Sequence, residues 1–89
     1  MIDGRKLRTF REKRGVTQAQ VAKASGISKQ AVGQAERTTQ VGIDPAERYL
    51  NAVLAAADVR AKVRILLDVD VAGPDGDRAL VAELREIVA

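Results

Sequence analysis

The sequence predicts a mainly α fold, with four helices in the first two thirds, then one β-strand and a C-terminal helix. Three observations predict it. Cap residues and glycines divide residues 1–57 into short helical runs, the hydrophobic period changes from helical to alternating at Val59, and a Gly73-Pro74-Asp75-Gly76 turn precedes a last amphipathic run. The expected organisation is therefore a helical domain over residues 1–57 and a strand-plus-helix element over residues 58–89.

Asp3 is placed to cap a first helix over roughly residues 5–14, with Leu7 and Phe10 on one face and Gly15 at its end. Thr17 caps a second helix of about eight residues that turns Val21 and Ala22 inward. Gly26 turns the chain, Ile27 points to the core, and Ser28 caps a third helix that reaches about Arg37. Asp44-Pro45 reads as a cap followed by proline at the first helical position. The fourth helix then runs to about Ala57 with Tyr49, Leu50, Val53 and Leu54 as its apolar stripe.

From Val59 to Val71 every second residue is apolar: Val59, Ala61, Val63, Ile65, Leu67, Val69 and Val71. A β-branched run with this period is expected as one half-buried strand. After the turn, Asp77 caps a last helix whose one side carries Leu80, Val81, Leu84, Ile87 and Val88.

Composition narrows the chemistry. The chain has no Cys and no His, which removes disulfides, thiolate nucleophiles, imidazole bases and most transition-metal sites. Asp68, Asp70, Asp75 and Asp77 lack the remaining ligands of a calcium loop, and two of them fit turn and cap roles, so no metal and no cofactor is expected. No carboxylate pair is accompanied by a base, a nucleophile or a phosphate-cradling loop, so the expectation is not an enzyme. The N-terminal stretch lacks the apolar run of a signal peptide and no 18-residue apolar span exists, which predicts a cytoplasmic protein without a membrane partner.

Charge is uneven along the chain. Residues 1–57 carry ten Lys and Arg against five Asp and Glu, a net +5, and residues 58–89 carry five against seven, a net −2. A basic front half suits a polyanion such as DNA, because phosphate contacts release counterions.

Two short helices meeting at a glycine-containing turn form a helix-turn-helix, whose second helix lies in the DNA major groove. Here they are the helices capped by Thr17 and Ser28. Gln18, Ala22, Gly26, Ile27, Ser28, Val32 and Glu36 resemble the signature of the lambda-repressor-like (Cro/CI, Xre) family, and the resemblance extends from Leu7 to about Leu54. The segment from Glu36-Arg37 through Ala46-Glu47-Arg48-Tyr49-Leu50, followed by a strand, resembles a narrower group that includes HigA-type antitoxins. The resemblance to that group does not extend to the final helix, Asp77 to Val88. Ala35 stands where the family often has a larger apolar residue, which predicts a third helix held less firmly.

The resemblance implies DNA-reading roles for Lys29, Gln30 and Gln34, and the chemistry agrees. Lys donates to guanine O6 or N7, and Gln pairs with adenine N6 and N7. Gln18, at a helix N-terminus, is expected to bond a phosphate where the helix dipole also favours an anion. Ser28, at the start of the third helix, and Arg37, at its end, complete the expected DNA contacts, with Arg5, Lys6 and Gln40 as further phosphate candidates. Arg11 and Glu36 match positions that form a semi-buried ion pair in the family, an orienting role. Gly33, inside the third helix, fits either a close DNA backbone or tight helix packing.

The strand's charges are ordered about Leu66, with Arg60, Lys62 and Arg64 before it and Asp68 and Asp70 after it. Pairing two copies antiparallel with Leu66 on the two-fold axis sets Arg64 opposite Asp68, Lys62 opposite Asp70, Val63 opposite Val69 and Ile65 opposite Leu67. Leu66-Leu67 offers no turn chemistry for a hairpin within one chain, so the strand is expected to form a dimer-building antiparallel ribbon through residues 63–69. The expected function is a sequence-specific transcriptional regulator, a repressor above all. It would act on double-stranded DNA as a homodimer over a two-fold operator. The alternative is an antitoxin that neutralises a toxin protein and represses its own operon.

Overall fold

The computed structural model describes residues 1–89. Helices α1 (Gly4–Lys13), α2 (Gln18–Ser25), α3 (Lys29–Arg37) and α4 (Ile43–Ala56) are followed by strands β1 (Lys62–Arg64) and β2 (Asp70–Ala72) and by helix α5 (Arg78–Val88). The fold is mainly helical, with a helix-turn-helix in the N-terminal part, a hairpin, and a C-terminal helix.

The helices start where the cap residues predict. Asp3 accepts the Arg5 N–H, Ser28 the Ala31 N–H and Asp77 the Leu80 N–H. Thr17 and Gln20 close a reciprocal capping box at α2: Thr17 Oγ1 accepts the Gln20 N–H at 3.1 Å, and Gln20 Oε1 accepts the Thr17 N–H at 2.8 Å. The fourth helix departs from expectation. It begins at Ile43 with Gly42 in the cap position, so Asp44 and Pro45 lie inside the first turn. Proline is tolerated there because first-turn N–H groups have no intrahelical acceptor, and Asp44 sits where the helix dipole favours an anion. Helix α4 ends in a Schellman-type turn: Val59 N–H bonds Leu54 O at 2.9 Å, Asp58 N–H bonds Ala55 O at 3.2 Å, and Asp58 is left-handed at φ +58.

Leu7, Phe10, Val21, Val32, Tyr49, Leu50, Val53 and Leu54 fill the space between α1 and α4, and Val63, Ile65, Val69, Leu80, Leu84 and Ile87 extend the same cluster. The N-terminal segment is tied to the chain that follows α3 through the backbone: Ile2 and Val41 exchange bonds at 2.8 and 2.7 Å, and the Gly4 N–H bonds Thr38 O at 2.8 Å. Gly4 lies so close that a Cβ there would fall 1.8 Å from Ala35 O, which only glycine avoids.

The single strand expected over 59–71 is instead two three-residue strands paired within one chain, in the register Lys62↔Ala72, Val63↔Val71, Arg64↔Asp70. The apex is Leu67, one residue beyond the expected centre, so Arg64 faces Asp70 and not Asp68, and Lys62 faces Ala72. A hairpin here does not need a tight turn. A five-residue loop spans the gap, its ends Ile65 and Val69 are buried, and no residue in it has a positive φ. Its backbone is satisfied by side chains: Glu47 Oε2 accepts the Ile65 N–H at 3.0 Å, and Asp68 Oδ1 accepts the Val69 N–H at 2.8 Å.

The base of the hairpin is closed by Asp75, whose carboxylate accepts the Arg60 N–H at 2.6 Å while its own N–H bonds Arg60 O at 3.1 Å. Helix α5 then lies against α1. Arg14 stacks over the Phe10 ring at 3.7 Å and holds Glu83 through two bonds of 3.0 and 2.7 Å. Lys6 Nζ bonds Glu86 O at 3.1 Å, near the negative end of α5. No helix is long and apolar enough to cross a membrane.

Candidate nucleic-acid interface

Helices α2 and α3 meet at a corner whose geometry is set by Gly26. Its φ of +75 ends α2 in the left-handed region, and its N–H bonds Ala22 O at 3.0 Å. Ser25 adds a bond from its Oγ to Val21 O at 2.7 Å, and Ile27 then packs against the core before Ser28 restarts the helix. The corner therefore sets the turn from α2 to α3 through local bonds and the Ile27 anchor.

Helix α3 is sharply divided. Val32, Gly33 and Glu36 are buried, whereas Lys29, Gln30, Gln34 and Arg37 are exposed. Gln30, Gln34 and Arg37 follow the i, i+4, i+7 spacing of one helix face. The structure thus places Lys29, Gln30 and Gln34 together in solvent, with no intramolecular partner holding any of the three. Ser28 lies at the same end, and its Oγ is used as the cap of α3 at 3.1 Å from the Ala31 N–H.

Beneath this face lies a polar cluster centred on Glu36, which is 3% exposed. Arg11 donates from Nε to Oε2 at 2.7 Å and from Nη2 to Oε1 at 3.0 Å, a bidentate pair. Tyr49 donates its hydroxyl to Oε2 at 2.5 Å, and Gln18 donates Nε2 to Oε1 at 3.0 Å. Arg11 also bonds Val16 O at 2.9 Å, which ties the α1–α2 turn into the cluster. Burial pushes the Glu36 carboxyl up, but the bonds from Arg11, Tyr49 and Gln18 outweigh it and hold the group below the ordinary carboxylate range. The Arg11 guanidinium is raised by its bond to Glu36, and burial raises the Tyr49 phenol. Every buried side-chain polar atom has a partner. Four residues from α1, α2, α3 and α4 are therefore locked through one carboxylate, and α3 is presented as a rigid element.

Tyr49 read in the sequence as a member of an apolar stripe; its hydroxyl role was missed. The usable signal was that a buried tyrosine hydroxyl needs a partner. Gln18 is placed differently from a free phosphate donor, since one amide N–H is already committed to Glu36. Gly33 accounts for the remaining proximity. A Cβ there would lie 3.3 Å from Arg37 Nη1 and at an ordinary 3.8 Å from Gln18 Nε2, so the bare backbone gives the Arg37 guanidinium room beside α3. Of the other phosphate candidates, Gln40 is exposed, Arg5 is exposed but paired with Asp3 at 2.7 Å, and Lys6 is turned toward α5.

The strand residues fall into two sets. Val63, Ile65 and Val69 are buried in the core, and Arg64, Leu66, Leu67 and Asp68 are exposed at the hairpin tip. A family model described as a helix-turn-helix domain matches residues 4–69, from the first residue of α1 to the end of the hairpin loop. Strand β2 and helix α5 lie beyond the match. No curated protein and no solved structure matches the chain.

Proposed function

Because the chain belongs to the helix-turn-helix domain family, whose partner is DNA, we propose that it is a sequence-specific DNA-binding regulator that represses by occupying a two-fold operator as a homodimer. The observation that carries this reading is the exposed face of α3. Lysine and two glutamines project from a helix whose back is fixed by the Glu36 cluster, and both residue types read base edges in the major groove. Gln18, Ser28 and Arg37 flank that face and supply donors for the phosphates on either side. The net +5 of residues 1–57 adds a sequence-independent attraction. Residues 58–89 supply the dimer contact.

Selection of bound sequences from a random DNA pool tests the reading. An inverted repeat with half-site centres about 10–10.5 base pairs apart, or a multiple of that, is expected. Gln30→Ala and Gln34→Ala should each cost about 1–3 kcal/mol on the selected site and much less on unrelated DNA, while Arg37→Ala weakens both. Equal losses on all sequences would remove the glutamines from base reading, and recovery of no preferred sequence would remove specificity altogether.

A further inference from the structure

Leu67 stands at the apex of the hairpin and is 97% exposed, and Leu66 beside it is 69% exposed. The closed hairpin buries almost none of Leu67 and little of Leu66. Apices favour Gly, Asn, Asp or Pro for their backbone preferences, and of these the loop from Ile65 to Val69 contains only Asp68, beside the apex and not at it. Instead, the apolar alternation from Val59 to Val71 passes through the apex without a break. The closed form uses that period on either side of Leu67 and wastes it at Leu67 itself. An extended strand would use all of it.

We propose that the hairpin opens at Leu67 and that residues 68–89 exchange with a second copy of the chain. This rests on the homodimer reading above and gives that dimer its architecture. Every pair that closes the hairpin within one chain re-forms between two, with Arg64 opposite Asp70 of the partner subunit and Val63 opposite Val71 of the partner subunit. The register continues inward, so Ile65 faces Val69 of the partner subunit and Leu67 meets its own copy on the two-fold axis. Exchange of this kind keeps the contacts of the closed chain and changes only the hinge.

Two features of the structure favour this partner. Bonds from α4 fasten the outer edge of β1 at Val63 and Ile65, so β1 stays with its own helices and the β2–α5 arm is the part that moves. Leu67 also borders an apolar recess with Met1, Ile43, Ile65 and Val88, and Met1 is itself 76% exposed. In the open ribbon Leu67 lies on the same face as Ile65 and Val69 and covers this surface from the dyad.

The chain has no cysteine, so Lys62→Cys with Ala72→Cys places one thiol pair at exposed, directly opposed positions. After treatment with a short thiol-to-thiol cross-linker, sedimentation gives the native mass and a denaturing gel gives the covalent mass. Exchange predicts a native dimer that is also a covalent dimer. A native dimer that runs as cross-linked monomers means that closed hairpins associate by another surface, which overturns the exchange and leaves the homodimer standing. A native monomer overturns both. As a second arm, Leu67→Asn with Asp68→Gly builds a three-residue turn with glycine at its left-handed position. It should weaken dimerisation by at least about tenfold while retaining the helical circular dichroism and a cooperative melt. Unchanged dimerisation of that variant would rule the hinge out.

Discussion

Asn51 of α4 grips Val63 of β1 by both backbone groups, its Oδ1 accepting the Val63 N–H at 2.7 Å and its Nδ2 donating to Val63 O at 3.0 Å. One amide side chain thus takes the place of a neighbouring strand along the outer edge of β1. With Glu47 on the Ile65 N–H one turn earlier on α4, it registers the hairpin against the helical domain and removes an open sheet edge.

Replacing Asn51 by Leu should therefore cost more than the loss of an average hydrogen bond, since two half-buried backbone groups lose their partner together. About 1–3 kcal/mol is expected. Hydrogen exchange would show the loss first at Val63 and Ile65, with α1–α3 amides changed only by the drop in global stability. Uniform loss of protection would mean that the amide has no local role.

Arg14 fastens α5 to α1 by stacking on Phe10 while bonding Glu83 twice. A lysine keeps the charge but loses the planar fork and the stack. Arg14→Lys should thus behave nearly as Arg14→Ala does, with α5 released at a cost on the order of 1–2 kcal/mol. Limited proteolysis within residues 78–88 checks it; a lysine variant as resistant as the parent would show that charge alone suffices.

Acid should unfold the protein through identifiable carboxylates. Arg14 lowers Glu83, and Arg11, Tyr49 and Gln18 lower Glu36 against the opposing effect of burial. With folded values below those of the unfolded chain, ordinarily about 4.3, the unfolded state binds more protons in between. Their contribution is complete above the ordinary value and is lost as pH falls through the folded ones. Urea stability should stay level toward neutrality and drop below about pH 4.5, and Glu83→Gln should flatten that drop. Glu36→Gln should also cost roughly 3–5 kcal/mol at neutral pH, because it leaves Arg11 buried without its counter-charge. Acid curves that coincide for Glu83→Gln and the parent would contradict the assignment.

Asp58 is the one non-glycine residue with a positive φ, and it occupies the C′ position of the Schellman turn after α4. Glycine meets that conformation without a Cβ penalty. Asp58→Gly should stabilise the fold by roughly 0.5–1 kcal/mol, raising Tm by a few degrees for a domain of this size. A lower Tm would mean that the aspartate side chain has a compensating contact.

The sequence by itself determined the helices and the exposed polar face of α3. Asp3, Thr17, Ser28 and Asp77 announce helix starts because a cap is a contact over two or three residues, wholly contained in the local chain. Gly26 announces the corner for the same reason, and the polar side chains on α3 are legible because helix periodicity alone decides which residues share a face. The start of α4 was less legible, since Asp44-Pro45 suits the first turn as well as the cap position.

Tertiary structure decided what depends on distant partners. Tyr49 and Gln18 join Arg11 on Glu36 only once four helices have packed, and nothing in their own neighbourhoods requires it. Gly4 becomes indispensable only against Ala35 and Thr38, more than thirty residues away. The β segment is the sharpest case. Alternation from Val59 to Val71 specifies which side chains turn inward, and that held for Val63, Ile65 and Val69 but not for Leu67, which the reversal leaves 97% exposed. It is silent on whether the chain continues straight or folds back, because both conformations preserve a period of two. That choice fell to contacts of the returning segment, Asp75 on the Arg60 backbone and Arg14 on Glu83, and to a five-residue loop long enough to reverse direction without a left-handed residue.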